Sequence, residues 1–200
     1  MTDRSPPGAA PLDDTSGLIP RHVTTKAELD ELEFANINQA AEKYFLGRLT
    51  DKKARFDVGW LLQVHREMYG AVWRWAGKPR TTELNIGAPP HQILEQLKQL
   101  TDNFHYWEKE TAMEIVEKAA RLHHGLVKIH PFRNGNGRWA RFLANLYLKK
   151  CAGILIQWPE PTLQAESPFR KAYIESLQQA DRGDYGPLIG LHHQLATKIT

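Results

Sequence analysis

The most informative stretch of this sequence lies at residues 130–141 and reads HPFRNGNGRWAR. Apolar segments with helical spacing precede and follow it, so it reads as a short bend between two helices. Pro131 ends the first helix, because it has no backbone N–H to donate and its ring excludes a further helical turn. Gly135 and Gly137 allow backbone angles that other residues avoid. The stretch therefore predicts a tight helix–loop–helix unit.

The same loop has the composition of an anion-binding site. Successive N–H groups around Gly135, Asn136 and Gly137 can point into one concavity, which the positive end of the next helix also faces. Arg138 and Arg141 lie three residues apart and hence on one helical face, where guanidinium groups can hold phosphate. Each feature alone is common on solvated surfaces. Their combination within one short loop predicts a polyphosphate site.

His130 ends the preceding helix at the edge of this loop. A neutral imidazole can take a proton from an attacking hydroxyl near pH 7. A lone histidine at a helix end is more often a structural cap, but its place beside an anion site favours a general base. We expect Phe132 to bury its ring and anchor the loop from beneath.

The rest of the chain predicts a mainly helical fold. Apolar residues recur with helical spacing near 25–45, 56–73, 93–104, 112–129, 139–152, 167–181 and 187–198. Thr24 or Thr25, with Glu28, would form a capping box at the start of the first helix. The β-forming stretch at 80–86, bounded by prolines and glycines, predicts a surface hairpin.

Composition excludes several classes of protein. The 200 residues suit one domain, and a single cysteine rules out an intrachain disulfide. The net charge is only +3 and no run of like charges occurs, so we do not expect the protein to bind nucleic acid. No apolar run approaches the roughly 20 residues of a membrane span, and no signal-peptide pattern opens the chain. We expect a cytoplasmic protein with no membrane contact.

The stretch at 130–141 resembles the signature of the Fic/Doc family, His-Pro-Phe-x-(Asp/Glu)-Gly-Asn-Gly-Arg-x-x-Arg, and matches eight of its nine specified positions. The stretches YGAVWRWAGKPR, NIGAPP and DRGDYGPLIGL resemble the family's hairpin region and C-terminal helix entry. This resemblance covers roughly residues 55–195 and implies a Fic-type helical bundle with a small β-hairpin flap beside the active-site loop. The stretch GLIPRHVTTKAELDELE resembles the subgroup called mobile mystery protein B.

The expected organisation is a flexible tail at 1–20 and a single Fic-type domain at 21–200. Within that domain, 21–48 would hold an inhibitory helix and 55–195 the core. The single domain follows from chain length, and the inner division follows from the resemblance.

The resemblance implies a protein adenylyltransferase, in which His130 deprotonates a Ser, Thr or Tyr hydroxyl of a target protein and AMP moves onto it from ATP. Nucleotide binding would fall to Phe132, Arg133, Asn134, Gly135, Asn136, Gly137, Arg138 and Arg141. The target would dock by strand addition on a flap made of Thr82, Glu83, Leu84, Asn85, Ile86 and Gly87. Mg²⁺ would bridge the phosphates. Asn134 stands where the family has an acidic metal ligand, so metal affinity should be lower.

Many family members carry an inhibitory glutamate that pairs with the second arginine of the loop, here Arg141. Glu28 and Glu33 are the candidates, against the alternative of a solvated acidic face. An antitoxin or regulator chain, as in toxin–antitoxin pairs, and a homodimer are further partners that the resemblance implies. Two other functions stay open: a kinase-like or other nucleotide transferase on the same scaffold, and an inactive peptide-binding module.

Six other side chains could suggest a site. We expect His123 and His124 to have structural or solvated roles rather than to form a metal site with His130. We expect Trp73 and Trp75 to pack in the core beneath a turn rather than to stack on a base. For Lys78 and Arg80, a solvated role is at least as strongly indicated as contact with phosphates or the target.

Overall fold

A computed structural model describes residues 15–23, 25–110 and 112–199. Within these ranges the fold is mainly α-helical, as predicted. Its elements in chain order are α1 (Lys26–Phe45), α2 (Val58–Tyr69), α3 (Ile93–Glu110), α4 (Ile115–Ile129), α5 (Asn136–Ala152), β1 (Ile154–Ile156), α6 (Glu160–Gln164), α7 (Pro168–Asp181), α8 (Gly186–Gln194) and β2 (Ala196–Lys198). A single 3₁₀ turn at Pro90–Gln92 precedes α3.

Local sequence signals explain where the first helices begin. The Thr25 side chain accepts a hydrogen bond from the Glu28 N–H, and the Glu28 carboxylate accepts one from the Thr25 N–H, so the predicted capping box is confirmed. The other predicted cap, Thr24, lies outside the described residues. Asp57 caps α2 through the Trp60 N–H at 2.7 Å.

Helix α5 is the centre of the hydrophobic core. Trp139, Leu143, Leu146 and Leu148 are fully buried, so this helix is covered on all its faces. It packs most extensively against α4, and α2 and α1 also contact it. Burying each large side chain contributes roughly 1.5–3 kcal/mol. The N-terminus of α5, where the loop at 130–141 feeds in, is therefore held on a rigid element.

Two sequence predictions about β structure are wrong. Residues 80–86 form an irregular loop, because the buried Arg80 side chain rather than a strand ladder connects its two ends. The strands lie elsewhere: β1 pairs antiparallel with β2, with Ile154 opposite Lys198. The helix predicted to reach 198 stops at Gln194, because the following residues pair with β1.

The packed part of the chain begins earlier than the sequence predicts. Of the predicted tail, residues 1–14 lie outside the described residues. Leu18 forms a β-bridge with Trp73, and the Ile19 N–H donates to the Val72 carbonyl at 2.9 Å. Among the described helices, none combines the length and the apolar character that crossing a membrane requires.

Candidate active site

His130 forms the turn that closes α4. It adopts the left-handed conformation, with φ 51° and ψ 59°, and its N–H still donates to the Leu126 carbonyl. This conformation is unusual for a residue with a side chain, and such strain is often kept at functional sites. His130 is 8% exposed. Burial lowers the pKa of His130 to about 4; the Val127 carbonyl opposes this shift and the positive charge of Arg80 adds to it. The ring is therefore neutral at pH 7, as a general base must be.

The loop after His130 is braced from beneath by two side chains. The Phe132 ring is fully buried and stacks on His65 at a centroid distance of 3.5 Å. Asn136 closes the loop: its Oδ1 accepts the Phe132 N–H and its Nδ2 donates to the Phe132 carbonyl, both at 2.9 Å. The contacts between Phe132 and Asn136 thus fix the shape of the loop. Asn136 is also the first residue of α5, so the N-terminal amides of this helix lie directly after the loop. The first N–H groups of a helix have no acceptor within the helix, so they can bind an anion.

His65, a buried residue of α2, is a supporting residue that the sequence analysis does not single out. The Gly77 N–H donates to its Nδ1 at 3.0 Å, so Nε2 carries the proton and donates to the Asn134 carbonyl at 3.2 Å. Burial lowers the pKa of His65 to about 3, which keeps the ring in this neutral form. His65 therefore ties the active-site loop to α2 and to the turn at Gly77.

Gly135 is required by its surroundings. Its φ is 79°, and a Cβ there would lie 2.6 Å from the Tyr69 ring. The Gly135 N–H donates to the Asn134 side-chain oxygen at 2.7 Å. The predicted nest is therefore only partly available, because Asn134 already uses one of its amides. A nucleotide would meet the amides that follow Gly135.

Glu33 reaches the loop from α1 and pairs with Arg138, the first arginine of the family signature. Arg138 Nη2 donates to Glu33 Oε2 at 2.6 Å, and the Trp73 indole N–H donates to Glu33 Oε1 at 2.7 Å. Glu33 is 2% exposed. The core-facing role expected for Trp73 holds, and Trp73 also orients this carboxylate. One of the two predicted inhibitory glutamates is thus at the site, whereas Glu28 is exposed in the capping box.

Arg141 pairs with a glutamate as expected, but its partner is neither of the two glutamates that the sequence predicts. Glu160, at the start of α6, accepts two hydrogen bonds from Arg141, from Nε at 2.7 Å and from Nη2 at 2.5 Å. Arg141 Nη1 also donates to the Tyr173 hydroxyl at 3.4 Å. This contact has no local sequence signal, because Glu160 lies nineteen residues after Arg141, beyond the end of α5 and β1. Arg138 and Arg141 therefore each pair with a carboxylate of the same chain.

The flap lies directly against His130. Residues 82–87 are mostly exposed, and Ile86 is 41% exposed. Gly87 has φ 93°, and a Cβ there would lie 2.5 Å from the His130 Cβ. Lys78 is exposed as expected, but Arg80 is buried rather than solvated.

The remaining histidines near the site have structural roles. His123 is buried between Tyr173 and His192, at 2.9 Å from the Tyr173 hydroxyl, and His124 pairs with Asp181 at 3.0 Å. The described residues contain no cluster of three or more His, Cys, Asp or Glu side chains that could hold a metal ion. Arg133, predicted to bind nucleotide, lies half-buried with Nη1 at 3.0 Å from the Ser16 hydroxyl.

This combination of fold and loop defines the class of the domain. Residues 55–148 match the model of the Fic/DOC family, so this part of the chain is a Fic/DOC domain. Two curated relatives are similar: protein adenylyltransferase fic-1 of Caenorhabditis briggsae, at 37% identity over 64% of this chain, and protein adenylyltransferase Fic of Nematostella vectensis, at 32% over 84%. This chain spans 25% and 38% of their lengths.

Solved structures have the same fold. The Bartonella tribocorum effector protein BepC, solved with bound AMPPNP, superposes with a TM-score of 0.70 at 20% identity, covering 94% of this chain and 95% of that one. Fic-1 (residues 134–508) of Caenorhabditis elegans superposes with a TM-score of 0.66 at 25% identity, covering 90% of this chain and 52% of that one. The expectation of a Fic-type helical bundle is thereby confirmed, and the subgroup stays a prediction.

Proposed function

We propose that this chain transfers AMP from ATP to a Ser, Thr or Tyr hydroxyl of a target protein. The observation that carries the proposal is the loop of residues 130–138, which joins a buried, neutral imidazole at the end of α4 to the N-terminus of α5 and to Arg138. The relatives' name, protein adenylyltransferase, and the AMPPNP bound to BepC support the same reaction.

His130 would act as the general base. With its pKa lowered to about 4, the ring is neutral at pH 7 and can take the proton of the target hydroxyl. The resulting oxygen attacks the α-phosphate of ATP, the bond to the β-phosphate breaks, and pyrophosphate leaves. The N-terminal amides of α5 and Arg138 would stabilise the negative charge on the phosphates.

The flap is the proposed docking site for the target. Its residues are mostly exposed, and its last residue, Gly87, lies against His130. An extended target segment paired along the flap would bring its hydroxyl to the ring. The apolar side chain of Ile86, exposed on this loop, is a suitable contact for such a segment.

Magnesium is implied by the family, so its fit to these residues matters. Asn134 offers one neutral amide oxygen, which already accepts the Gly135 N–H. Mg²⁺ is usually held by carboxylates, phosphates and water. The protein residues alone do not fit a magnesium site, so we derive no step through the metal.

The proposed activity is restrained by the chain itself. Glu33 occupies Arg138, and a triphosphate that used this guanidinium would have to displace a buried carboxylate. We assign the inhibitory role to Glu33 rather than to Glu28, and this assignment requires no separate antitoxin.

Labelled nucleotide tests the reaction. Protein incubated with α-labelled and with γ-labelled ATP should acquire label only from the α position, and a Glu33→Gln variant should acquire more. His130→Ala should abolish labelling, while His91→Ala, at an exposed histidine near the flap, should not.

Other labelling patterns would favour the alternatives. Label from the γ position would replace the proposal with a kinase-like transferase. No label in any variant, with ATP binding retained, would indicate a peptide-binding module. Labelling that persists in His130→Ala would remove His130 from its role.

A further inference from the structure

Arg80 is a buried charge whose hydrogen bonds go to backbone carbonyls. It is 3% exposed, and burial lowers its pKa although the nearby Glu83 raises it. Nε donates to the His130 carbonyl at 2.9 Å, Nη1 to the Thr82 carbonyl at 2.8 Å and Nη2 to the Ala88 carbonyl at 2.5 Å. One guanidinium therefore contacts the first residue of the flap, the residue that directly follows the flap and the turn at His130.

Backbone hydrogen bonds repeat the same connections. The Arg80 N–H donates to the Pro131 carbonyl at 2.8 Å, and the Ala88 N–H donates to the Ile129 carbonyl at 3.0 Å. The chain just before the flap and the chain just after it are thus bonded to the residues on either side of His130. Because no strand ladder runs through the flap, these bonds and the Arg80 side chain fix its position.

The His130 turn needs such support. A residue with a side chain in the left-handed region loses roughly 1–2 kcal/mol relative to the right-handed one. The carbonyl that Arg80 holds belongs to His130 itself, so the bond restrains the peptide group that follows the strained residue.

The chemistry of the side chain explains why an arginine is suited to this place. A guanidinium presents five N–H donors in a rigid planar fork and can satisfy three carbonyls in different directions. A lysine ammonium at the same point has three donors on a flexible stem and no fixed plane. Burying a cation is costly unless its donors are used, and here they are used on the two parts of the site that must be aligned.

We propose that Arg80 is a positioning residue, which holds the flap and the His130 turn in one fixed relation so that a docked hydroxyl meets the ring. The expected loss of kcat rests on the proposed function, whereas the restraint of the flap by Arg80 does not. Arg80 contacts neither nucleotide nor hydroxyl in this account; it acts through the flap and through His130.

The test uses the full chain with Arg80→Gln and Arg80→Lys, and Lys78→Gln as the matched control at an exposed cation two residues away. Auto-modification is followed with α-labelled ATP, ATP binding is measured by calorimetry, and hydrogen exchange is measured for the amides of residues 81–88 and 130–133.

We expect Arg80→Gln to lower kcat by about tenfold or more, because a misplaced reacting group costs up to about a hundredfold. The KM and the Kd for ATP should change by less than about twofold, since neither reports on flap position.

Exchange should rise at 81–88 and 130–133 in both Arg80 variants and stay at the wild-type level in Lys78→Gln. Arg80→Lys should restore less than half of the lost rate, because it keeps the charge but not the fork. A kcat near wild type in Arg80→Gln, or exchange at 81–88 unchanged in both variants, would overturn the proposal. If both Arg80 variants lost ATP binding as strongly as they lost kcat, Arg80 would support the structure in general and would not be a positioning residue. If the wild type transfers no label, the proposed function fails while the exchange measurement still decides the structural part.

Discussion

Replacing Glu33 by glutamine is the sharpest perturbation of the proposed restraint. The Glu33 carboxylate accepts hydrogen bonds from Arg138 at 2.6 Å and from Trp73 at 2.7 Å. Glutamine has nearly the same shape and keeps one oxygen acceptor, so the packing of α1 should be retained. What it removes is the negative charge that holds Arg138. The change therefore tests the ion pair with little effect on shape.

The size of the effect follows from the strength of that contact. A hydrogen bond to a charged group contributes roughly 1.5–3 kcal/mol net. Since about 1.4 kcal/mol corresponds to a factor of ten in affinity, ATP should bind about ten- to a hundredfold more tightly when it no longer competes with a carboxylate for Arg138. Auto-modification at an ATP concentration below the wild-type Kd should rise by a similar factor.

Calorimetric titration with ATP and labelling with α-labelled ATP measure the two quantities. Glu28→Gln is the matched control, because Glu28 lies on the same helix but is exposed in the capping box. A thermal melt of each variant confirms that the fold is intact. The reasoning is refuted if Glu33→Gln binds ATP within twofold of the wild type, or if Glu28→Gln alone increases affinity.

Three further predictions concern the loop and its buried histidines. Gly135→Ala should abolish ATP binding and lower the melting temperature, since its Cβ would lie 2.6 Å from a buried tyrosine ring; Gly183→Ala, with a similar positive φ but open space around it, should keep ATP binding. Asn134→Asp should raise the affinity of the protein for Mg²⁺ in a calorimetric titration, because it supplies a carboxylate where the wild type has a neutral amide; an affinity equal to that of the wild type would count against this. Acidification from pH 6.5 towards 4 should lower the free energy of unfolding, because the unfolded chain takes up protons that folded His65 and His130, with pKa values of about 3 and 4, do not. Each such group contributes roughly 1.4 kcal/mol per pH unit in that window, and denaturant unfolding at pH 7, 6 and 5 that gave equal stabilities would argue against it.

The predictions that succeeded rest on local sequence signals. Helix positions follow from apolar spacing within each segment, and the capping box at Thr25 involves residues three apart. The turn at 130–141 was predictable because Pro131 and the glycines act on the backbone at their own positions. Burial of Phe132 was also predictable, since a large ring in a short loop between two apolar helices has the core nearby.

The predictions that failed depend on residues far apart in the chain. Arg80 looked solvated because the carbonyls that bind it come partly from His130, fifty residues away. The predicted partner of Arg141 is wrong because its actual partner, Glu160, lies nineteen residues away along the chain and carries no local signal of the contact. The hairpin was expected from β-forming residues at 80–86, whose conformation is decided instead by contacts with the His130 turn.

The proposed reaction depends on a triphosphate held by the N-terminal amides of α5 beside the ring of His130. A crystal structure of Glu33→Gln with a non-hydrolysable ATP analogue would show whether it is held there. We expect phosphate oxygens within hydrogen-bond distance of these amides and of Arg138, with the His130 ring facing the α-phosphate. An analogue bound elsewhere on the chain, or a His130 ring turned away from the phosphates, would rule the proposed reaction out.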